Sequence, residues 1–438
     1  MILYIMSKNK NIAVENDATA KGVIAMLREI AIIGGGAAGM MAAIVAARNG
    51  ANVVIYEKMN RVGKKILATG NGRCNLTNIN LSHQNIGCLH STNRDLVRNI
   101  LKQFTVENTI DFFEILGIAH KVEAGGKVFP MSDQASSVLD VLRYEIDKLG
   151  ISVLCDCEIQ SVKKIKDQFL LKDQNGVEYR ADRVIMVTGG MSSPSLGSNG
   201  SGYGLAKSLG HKVVKPFPAL VQLKLESPFL KVIKGIKFDG EASILVDREA
   251  LRKEEGEILF TEYGISGPPI LQLSRSAVEA LEYKKKPQLK IDMFPSHTHD
   301  ELVALISLRL SYQYDRPLDF SFIGLINKRM IPIILKEAGI HHLDKLCSEV
   351  SNKEIRNIVK ILKDWEFSIT GSQTWANSQV TAGGIDVSSI CPETLESKLV
   401  KGLFFAGEIL DVDGDCGGYN LQWAWSSGYV VGNEATIK

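Results

Sequence analysis

Glu29-Ile-Ala-Ile-Ile-Gly34-Gly-Gly36-Ala-Ala-Gly39 opens the readable part of this chain, followed by Met40-Met-Ala-Ala-Ile-Val-Ala-Ala47 and then Val53-Val-Ile-Tyr-Glu57. An apolar strand runs into a glycine-rich turn, an alanine-rich helix follows, and a second apolar strand ends on an acid. Each glycine has its own use: Gly34 permits the tight turn, Gly36 lets the backbone approach a pyrophosphate, and Gly39 lets the helix pack closely on the sheet. The helix start offers unpaired N–H groups and the positive end of its dipole, roughly half an elementary charge. Glu57, about 20 residues beyond the turn, stands where an acid accepts ribose hydroxyls. The expected ligand is an adenine dinucleotide.

Outward from that turn, 438 residues suggest two or three domains. Hydrophobic content of 45% and charged content of 23% are those of an ordinary soluble globular protein. A net charge of +2 offers no broad basic surface for nucleic acid. No stretch approaches the 18–20 apolar residues of a membrane span. Met1-Ile-Leu-Tyr-Ile-Met6 is apolar but too short for a convincing signal peptide. Seven scattered cysteines without a C-x-x-C pair fit a reducing cytoplasm, which is the expected location. The histidines show no metal-ligand spacing; His297, His299, His341 and His342 read as surface or capping residues, and no metal is expected.

The chain reads as a nucleotide domain interrupted by an insertion. Residues 1–28 are expected to be a mobile extension. Residues 29–215 form the first part of the nucleotide domain, with helical patterns near 93–116 and 134–149. A strand is expected from Gly150 to Ile159, with Cys155 and Cys157 sharing a face of it. A hairpin turns near Asp173-Gln-Asn-Gly176. Alternating or apolar runs over 216–298 predict an antiparallel β domain, 299–365 a helical subdomain, and 366–380 a return strand. Residues 381–438 complete the nucleotide domain.

Four separated segments suit one long ligand. The opening turn with Glu57 is the first. Thr69-Gly-Asn-Gly-Arg73-Cys-Asn75-Leu-Thr-Asn78 supplies small residues and amides beyond the pyrophosphate. Val187-Thr-Gly-Gly190 ends a buried strand. Phe405-Ala-Gly-Glu408, with Asp411, precedes a helix start at Gly418-Tyr-Asn-Leu-Gln422. That second helix N-terminus can stabilise negative charge on a reduced isoalloxazine ring. A nicotinamide protein needs no such distant C-terminal segment, so the pattern favours FAD over NAD.

These segments resemble the FAD domain of the glutathione-reductase and fumarate-reductase type flavoproteins. More narrowly, the chain resembles the BaiN/YhiN-like NAD(P)/FAD-dependent oxidoreductases, also labelled the aminoacetone oxidase family. The resemblance is carried by Gly63 to Asn78, by Leu259-Phe-Thr-Glu-Tyr-Gly-Ile-Ser-Gly-Pro268, and by Gly402 to Gly432. It covers residues 30 to about 436. It implies an α/β fold: a Rossmann-like FAD-binding domain with an inserted β-barrel-like domain and a helical subdomain. By matched position it implies FAD contacts from Gly34, Gly36, Ala38, Gly39, Glu57, Lys58, Lys65, Thr69, Asn71, Arg73, Cys74, Ile159, Thr188, Gly189, Gly407, Glu408, Gly418, Asn420, Leu421 and Gln422. Many relatives carry His where this chain has Glu262, so no histidine role transfers there.

The expected activity is that of a FAD-dependent oxidoreductase. The resemblance implies a hydride passed from NAD(P)H, a transient co-substrate, through FAD to a small conjugated carbonyl compound. One alternative is an amine oxidase using oxygen. Another is an RNA-modifying or non-catalytic FAD-binding protein, against which the near-neutral charge speaks. Tyr263, Ser266, Arg73 and Tyr419 are candidates for the substrate side; the catalytic acid or base and the oligomeric state stay open. Arg73 could pair with an anion or simply hold its loop. Cys74 and Cys416 could be a redox pair, but lack the close spacing of disulfide reductases and read better as packing residues. Trp423 and Trp425 read as core or interface.

Overall fold

The computed structural model describes residues 28–437, so the extension read over residues 1–28 lies, but for Arg28, outside the described residues. Glu29–Ile33 is the middle strand of a five-stranded sheet, buried from Ile30 onward. Asn52–Tyr56 and then Ser152–Leu154 extend the sheet on one side, Arg183–Met186 and then Leu403–Phe405 on the other. All four pairings are parallel. Strands buried on both faces are expected to be continuously apolar, as Ile-Ala-Ile-Ile, Val-Ile-Met and Leu-Phe-Phe are. Parallel pairing puts the carboxyl ends of these strands along one edge. Gly34, Val187 and Ala406, distant in sequence, therefore emerge side by side.

The helix Ala37–Arg48 lies directly against the final helix, Tyr419–Glu434. Gly428 passes over Ala38 and Gly432 over Ala42. The equal offset means that the two helices run in the same direction. Both open on the carboxyl edge of the sheet.

The insertion contains a closed six-stranded antiparallel barrel. Its strands follow the order Leu223–Glu226, Gly264–Ser266, Glu249–Phe260, Lys237–Val246, Gln288–Asp292 and Trp365–Ser372. Closure abolishes exposed edges. Phe260, Trp365 and Phe367 meet in its core at centroid distances of 4.8–5.9 Å. The helices His299–Tyr312, Ile331–Glu337 and Asn352–Lys363 belong to the same hydrophobic core. The chain leaves the nucleotide domain along Val213–Ala219 and returns along Val380–Ile385, and these two segments pair as an antiparallel ribbon. The boundaries read at 215/216 and 380/381 thus fall inside a shared ribbon rather than in loops.

The strand expected from Gly150 to Ile159 is broken. It ends at Leu154, and Asp156 turns with a φ of 52°. The next strand starts at Ile159. Cys155 and Cys157 lie in the intervening loop, because the Asp156 and Cys157 amides donate to the Met59 and Glu57 carbonyls across the end of the neighbouring strand. Among the described residues no helix is long and apolar enough to cross a membrane, and no group of three or more potential ligands could hold a metal ion.

Candidate active site

A cavity of about 750 Å³ opens along the carboxyl edge of the parallel sheet and is lined on the far side by the barrel domain. All four segments singled out above contribute to its wall. From the barrel side come Leu220, Ser266, Gly267, Pro268 and Leu271. Junctions between domains are favoured places for ligands.

The first segment has the backbone geometry that a phosphate cradle requires. Gly34 has a φ of 109°, and a Cβ there would meet the Val187 carbonyl oxygen at 2.6 Å. Nothing lies within 4 Å of a Cβ built on Gly36, so its backbone borders open space. Gly39 faces away: its Cβ would strike the Gly34 carbonyl oxygen, and the residue serves helix–sheet packing. Gly36 caps the helix without any side-chain bond, and its carbonyl first accepts from Met40 N at 2.9 Å. The earlier N–H groups of that turn are free for an anion. Glu57 is buried, and its carboxylate accepts from Gly35 N at 2.7 Å and Met59 N at 2.9 Å. These bonds fix its orientation and leave lone pairs for hydroxyl donors.

The final helix supplies a second uncapped N-terminus at Gly418, where Gln422 N is the first to bond back, at 3.0 Å. With Gly428 over Ala38, this helix starts eight residues further out than its neighbour. At 1.5 Å rise per residue the two positive ends are about 12 Å apart along one direction. That spacing suits a ligand with a pyrophosphate at one end and an electron-accepting ring further along. Buried acceptors agree with this: the Asn75 side-chain oxygen, in the wall beside Gly418, has no hydrogen-bond partner. The residues present therefore fit FAD.

Gly34, Gly36, Ala38, Glu57, Lys65, Thr69, Asn71, Arg73, Thr188, Gly189, Gly407, Glu408, Gly418, Asn420 and Leu421 all lie in the cavity wall. Gly39, Lys58, Cys74, Ile159 and Gln422 do not. Lys58 turns to the Asn199 side-chain oxygen. Cys74 is fully buried in the nucleotide-domain core, as is Ile159. The Gln422 carboxamide is spent inside the domain, accepting from Thr77 Oγ1 at 2.6 Å and donating to Ser426 Oγ at 2.8 Å. On the substrate side, Ser266 and Arg73 are in the wall, whereas Tyr263 and Tyr419 are not. Tyr419 is buried against Gly414 and Gly417, and burial pushes its phenol well above the usual range. Trp423 reaches the wall and donates to the Gly407 carbonyl at 3.1 Å; Trp425 is core, edge-on to Phe113 at 5.1 Å.

Several of the charges around the cavity are paired. Lys65 meets Glu408 at 2.7 Å, and the other Glu408 oxygen accepts from Thr381 N at 2.8 Å. Arg73 gives both ends of its fork to Glu123, at 3.0 and 2.8 Å, and lies 3.9 Å over the Phe129 ring. Of its two readings, the holding of the loop is the one these bonds serve. The barrel is fastened to the C-terminal segment beside the cavity. Arg252 grips both Asp415 oxygens at 2.9 Å, Arg275 meets Asp413 at 2.8 Å, and Gln272 accepts from Cys416 N at 2.6 Å. Burial drives the Asp415 carboxyl up, but bonds from His90 and Arg252 outweigh it and hold it below the usual range. Asp411 and Asp413 go the other way: burial raises both, Asp411 to about 6. Burial also raises the Cys416 thiol, and takes Cys74 to about 12.

Asn75, Phe129, Asp415 and Cys416 belong to the wall but not to the set expected there. Three of them sit in segments that the sequence had marked: Asn75 directly follows Cys74, and Asp415 and Cys416 lie just before Gly418. Phe129 carries no signal, because it comes from a strand, Lys127–Pro130, with no motif of its own.

The chain matches the HI0933-like protein Rossmann domain over residues 28–434. It is 39% identical to a 3-dehydro-bile acid delta(4,6)-reductase of Clostridium scindens, over 93% of this chain and 99% of that protein. It is 30% identical to a ribosomal RNA dihydrouridine synthase of Haemophilus influenzae, over 91% of this chain and 96% of that one. In structure it is similar to a 3-ketosteroid delta1-dehydrogenase from Sterolibacterium denitrificans, with a TM-score of 0.50 at 10% identity, over 94% of this chain and 99% of that one; this likeness is one of fold. The chain belongs to the HI0933-like family of Rossmann-type FAD-dependent oxidoreductases.

Proposed function

We propose that this enzyme passes a hydride from NAD(P)H, by way of FAD, to a carbon–carbon double bond conjugated with a carbonyl. The observation that carries the proposal is the 39% identity to a bile acid reductase along nearly the whole of both chains. The dihydrouridine synthases point to the same chemistry by name, since dihydrouridine is uridine with its carbonyl-conjugated ring double bond reduced.

FAD supplies the hydride chemistry when bound. The Gly36 turn and Glu57 would hold its adenosine diphosphate half. The N-terminus of the Tyr419–Glu434 helix favours negative charge at the ring end. The acceptor enters between Ser266 to Leu271 of the barrel domain and Asp415 to Asn420, where the wall is made by both domains. The Arg252–Asp415 and Arg275–Asp413 pairs keep the barrel over the cavity, which excludes water and orients the acceptor. NAD(P)H has no second glycine fingerprint to bind and would visit the same opening in turn.

A second reading takes uridine within RNA as the acceptor. The 30% identity to two dihydrouridine synthases favours it, as do Arg61, Lys64 and Lys127 in the cavity wall. Anaerobic stopped-flow experiments decide between the two. NADH or NADPH is expected to bleach the bound flavin, and a 3-oxo-4,6-diene steroid to restore its colour within the turnover time. Restoration by ribosomal RNA alone would favour the second reading. Restoration by oxygen alone, after reduction by an amine, would replace both with an oxidase.

A further inference from the structure

Asn75, like Thr188, is a wall residue with a buried, unpartnered side-chain oxygen, and it is the one of the two that lies against Gly418. Its side-chain oxygen is inaccessible and has no hydrogen-bond partner, and the residue as a whole is 9% exposed. A buried amide oxygen left unpaired is costly, and such groups are rare in folded proteins. The local backbone puts it there deliberately. Cys74, just before it, adopts a left-handed φ of 60°, unusual for a residue with a side chain. Its N–H is held by the Thr69 carbonyl at 3.0 Å, and Leu76 N by the Val128 carbonyl at 2.8 Å. Between these two anchors the chain sends Cys74 into the core and turns Arg73 and Asn75 to the cavity. Gly70 leaves room for it: a Cβ on Gly70 would lie 2.8 Å from Asn75 N. Gly418 does the same from the other side, since a Cβ there would lie 2.9 Å from the Asn75 oxygen. The orphaned acceptor thus stands beside the uncapped N-terminus of the Tyr419–Glu434 helix.

We propose that Asn75 recognises the pyrimidinedione edge of the isoalloxazine, its side chain rotating to bring the orphaned oxygen to the ring N3–H while the first N–H groups of the Tyr419–Glu434 helix face a ring carbonyl. This rests on the assignment of FAD to the cavity. The pyrimidinedione edge presents carbonyl, N–H, carbonyl in a row. An acceptor next to a set of backbone donors is its complement. A carboxamide turned over donates to the adjacent ring carbonyl instead, so the pairing survives either orientation of the amide. Asn75 is then a positioning residue that also tunes the ring: replacing its neutral amide by a carboxylate sets a negative charge against the site where the reduced ring carries its own.

The test uses the full-length protein and FAD and does not depend on turnover. Asn75→Ala is expected to weaken FAD binding about tenfold, the effect of one buried hydrogen bond. Asn75→Asp is nearly the same shape and keeps an acceptor, so FAD stays bound. Its flavin should bind sulfite at least about tenfold more weakly, read from bleaching of the visible band, because sulfite addition creates an anionic ring. A role confined to folding would lower the unfolding temperature and leave the sulfite affinity of the bound flavin unchanged; that result, or FAD and sulfite affinities equal to wild type in both variants, overturns the proposal. Wild-type protein that takes up no FAD would instead sink the cofactor assignment itself.

Discussion

Gly428 touches Ala38: a Cβ built on Gly428 would lie 2.5 Å from the Ala38 carbonyl oxygen, and one on Gly432 would lie 2.6 Å from that of Ala42. The Ala37–Arg48 and Tyr419–Glu434 helices are therefore locked at a separation that only glycine permits. This contact sets the stagger of their two N-termini along the cavity. Gly428→Val should force the helices apart, at a cost of about 1–3 kcal/mol for overpacking. Denaturant unfolding should show that loss, and FAD titration a weaker affinity. A variant with wild-type stability would mean that the helices tolerate a wider spacing.

Glu57 is held by the backbone of its own domain, and the proposed FAD site gives it the ribose as a further partner. Glu57→Gln keeps the shape but removes the charge and two acceptor lone pairs. Charge-assisted bonds contribute roughly 1.5–3 kcal/mol, so FAD affinity should fall about ten- to a hundredfold. Glu57→Ala should be worse still, since Gly35 N and Met59 N lose their acceptor. The flavin released by heat should be FAD and not FMN, which lacks the adenosine half. Unchanged affinity in Glu57→Gln would remove the ribose role.

Asp411 makes stability depend on pH in an unusual direction. Burial, then the neighbouring Asp413 carboxylate, raise its pKa from 3.8 to about 6. The unfolded chain loses this proton near pH 4 and the folded protein near pH 6, so its contribution declines as pH rises between the two. About two units correspond to roughly 2–3 kcal/mol. Asp411→Asn should therefore be more stable than wild type at pH 8, with the difference shrinking as the pH falls to 4. Parallel urea titrations at several pH values check this; a gap that does not vary with pH contradicts it.

Neither thiol near the cavity has the environment of a redox nucleophile. Burial keeps Cys74 protonated, with a pKa of about 12, and raises Cys416 as well, whereas reactive cysteines are found where the thiolate is favoured. Cys74→Ser and Cys416→Ser should each retain at least about a tenth of NAD(P)H-driven turnover, a loss below about 1.4 kcal/mol in the barrier. Abolished turnover in both, with FAD still bound, would restore a thiol relay.

Ser266 and Tyr263 were adjacent candidates in one loop, and the cavity separates them. Ser266→Ala should alter kcat or KM for the acceptor with FAD content near one per chain. Tyr263→Ala, removed from the wall, should leave both constants within about twofold. The opposite ranking would place the acceptor outside this cavity.

The glycine turn, the acid at Glu57 and the C-terminal glycine pair were readable because phosphate binding by helix ends imposes local backbone demands, and local demands leave fixed spacings. The buried strands were readable because burial on two faces requires unbroken apolar runs. The alternating runs of the insertion announced antiparallel strands for the same kind of reason. Other features had no local signature. That Phe129 and Ser266 meet Asn75 and Asp415 around one cavity depends on contacts between segments far apart in the chain. The parallel sheet brings three strand ends together, and the barrel settles over them through Arg252 and Arg275. Cys74 and Gln422 show the converse: they lie within recognised motifs but turn inward, because a left-handed residue and a helix face decide direction. The sequence by itself thus determined the family, the cofactor and the segments that approach it. Only the tertiary structure decided which side chains in those segments face the cavity, since direction depends on packing partners that spacing along the chain does not encode.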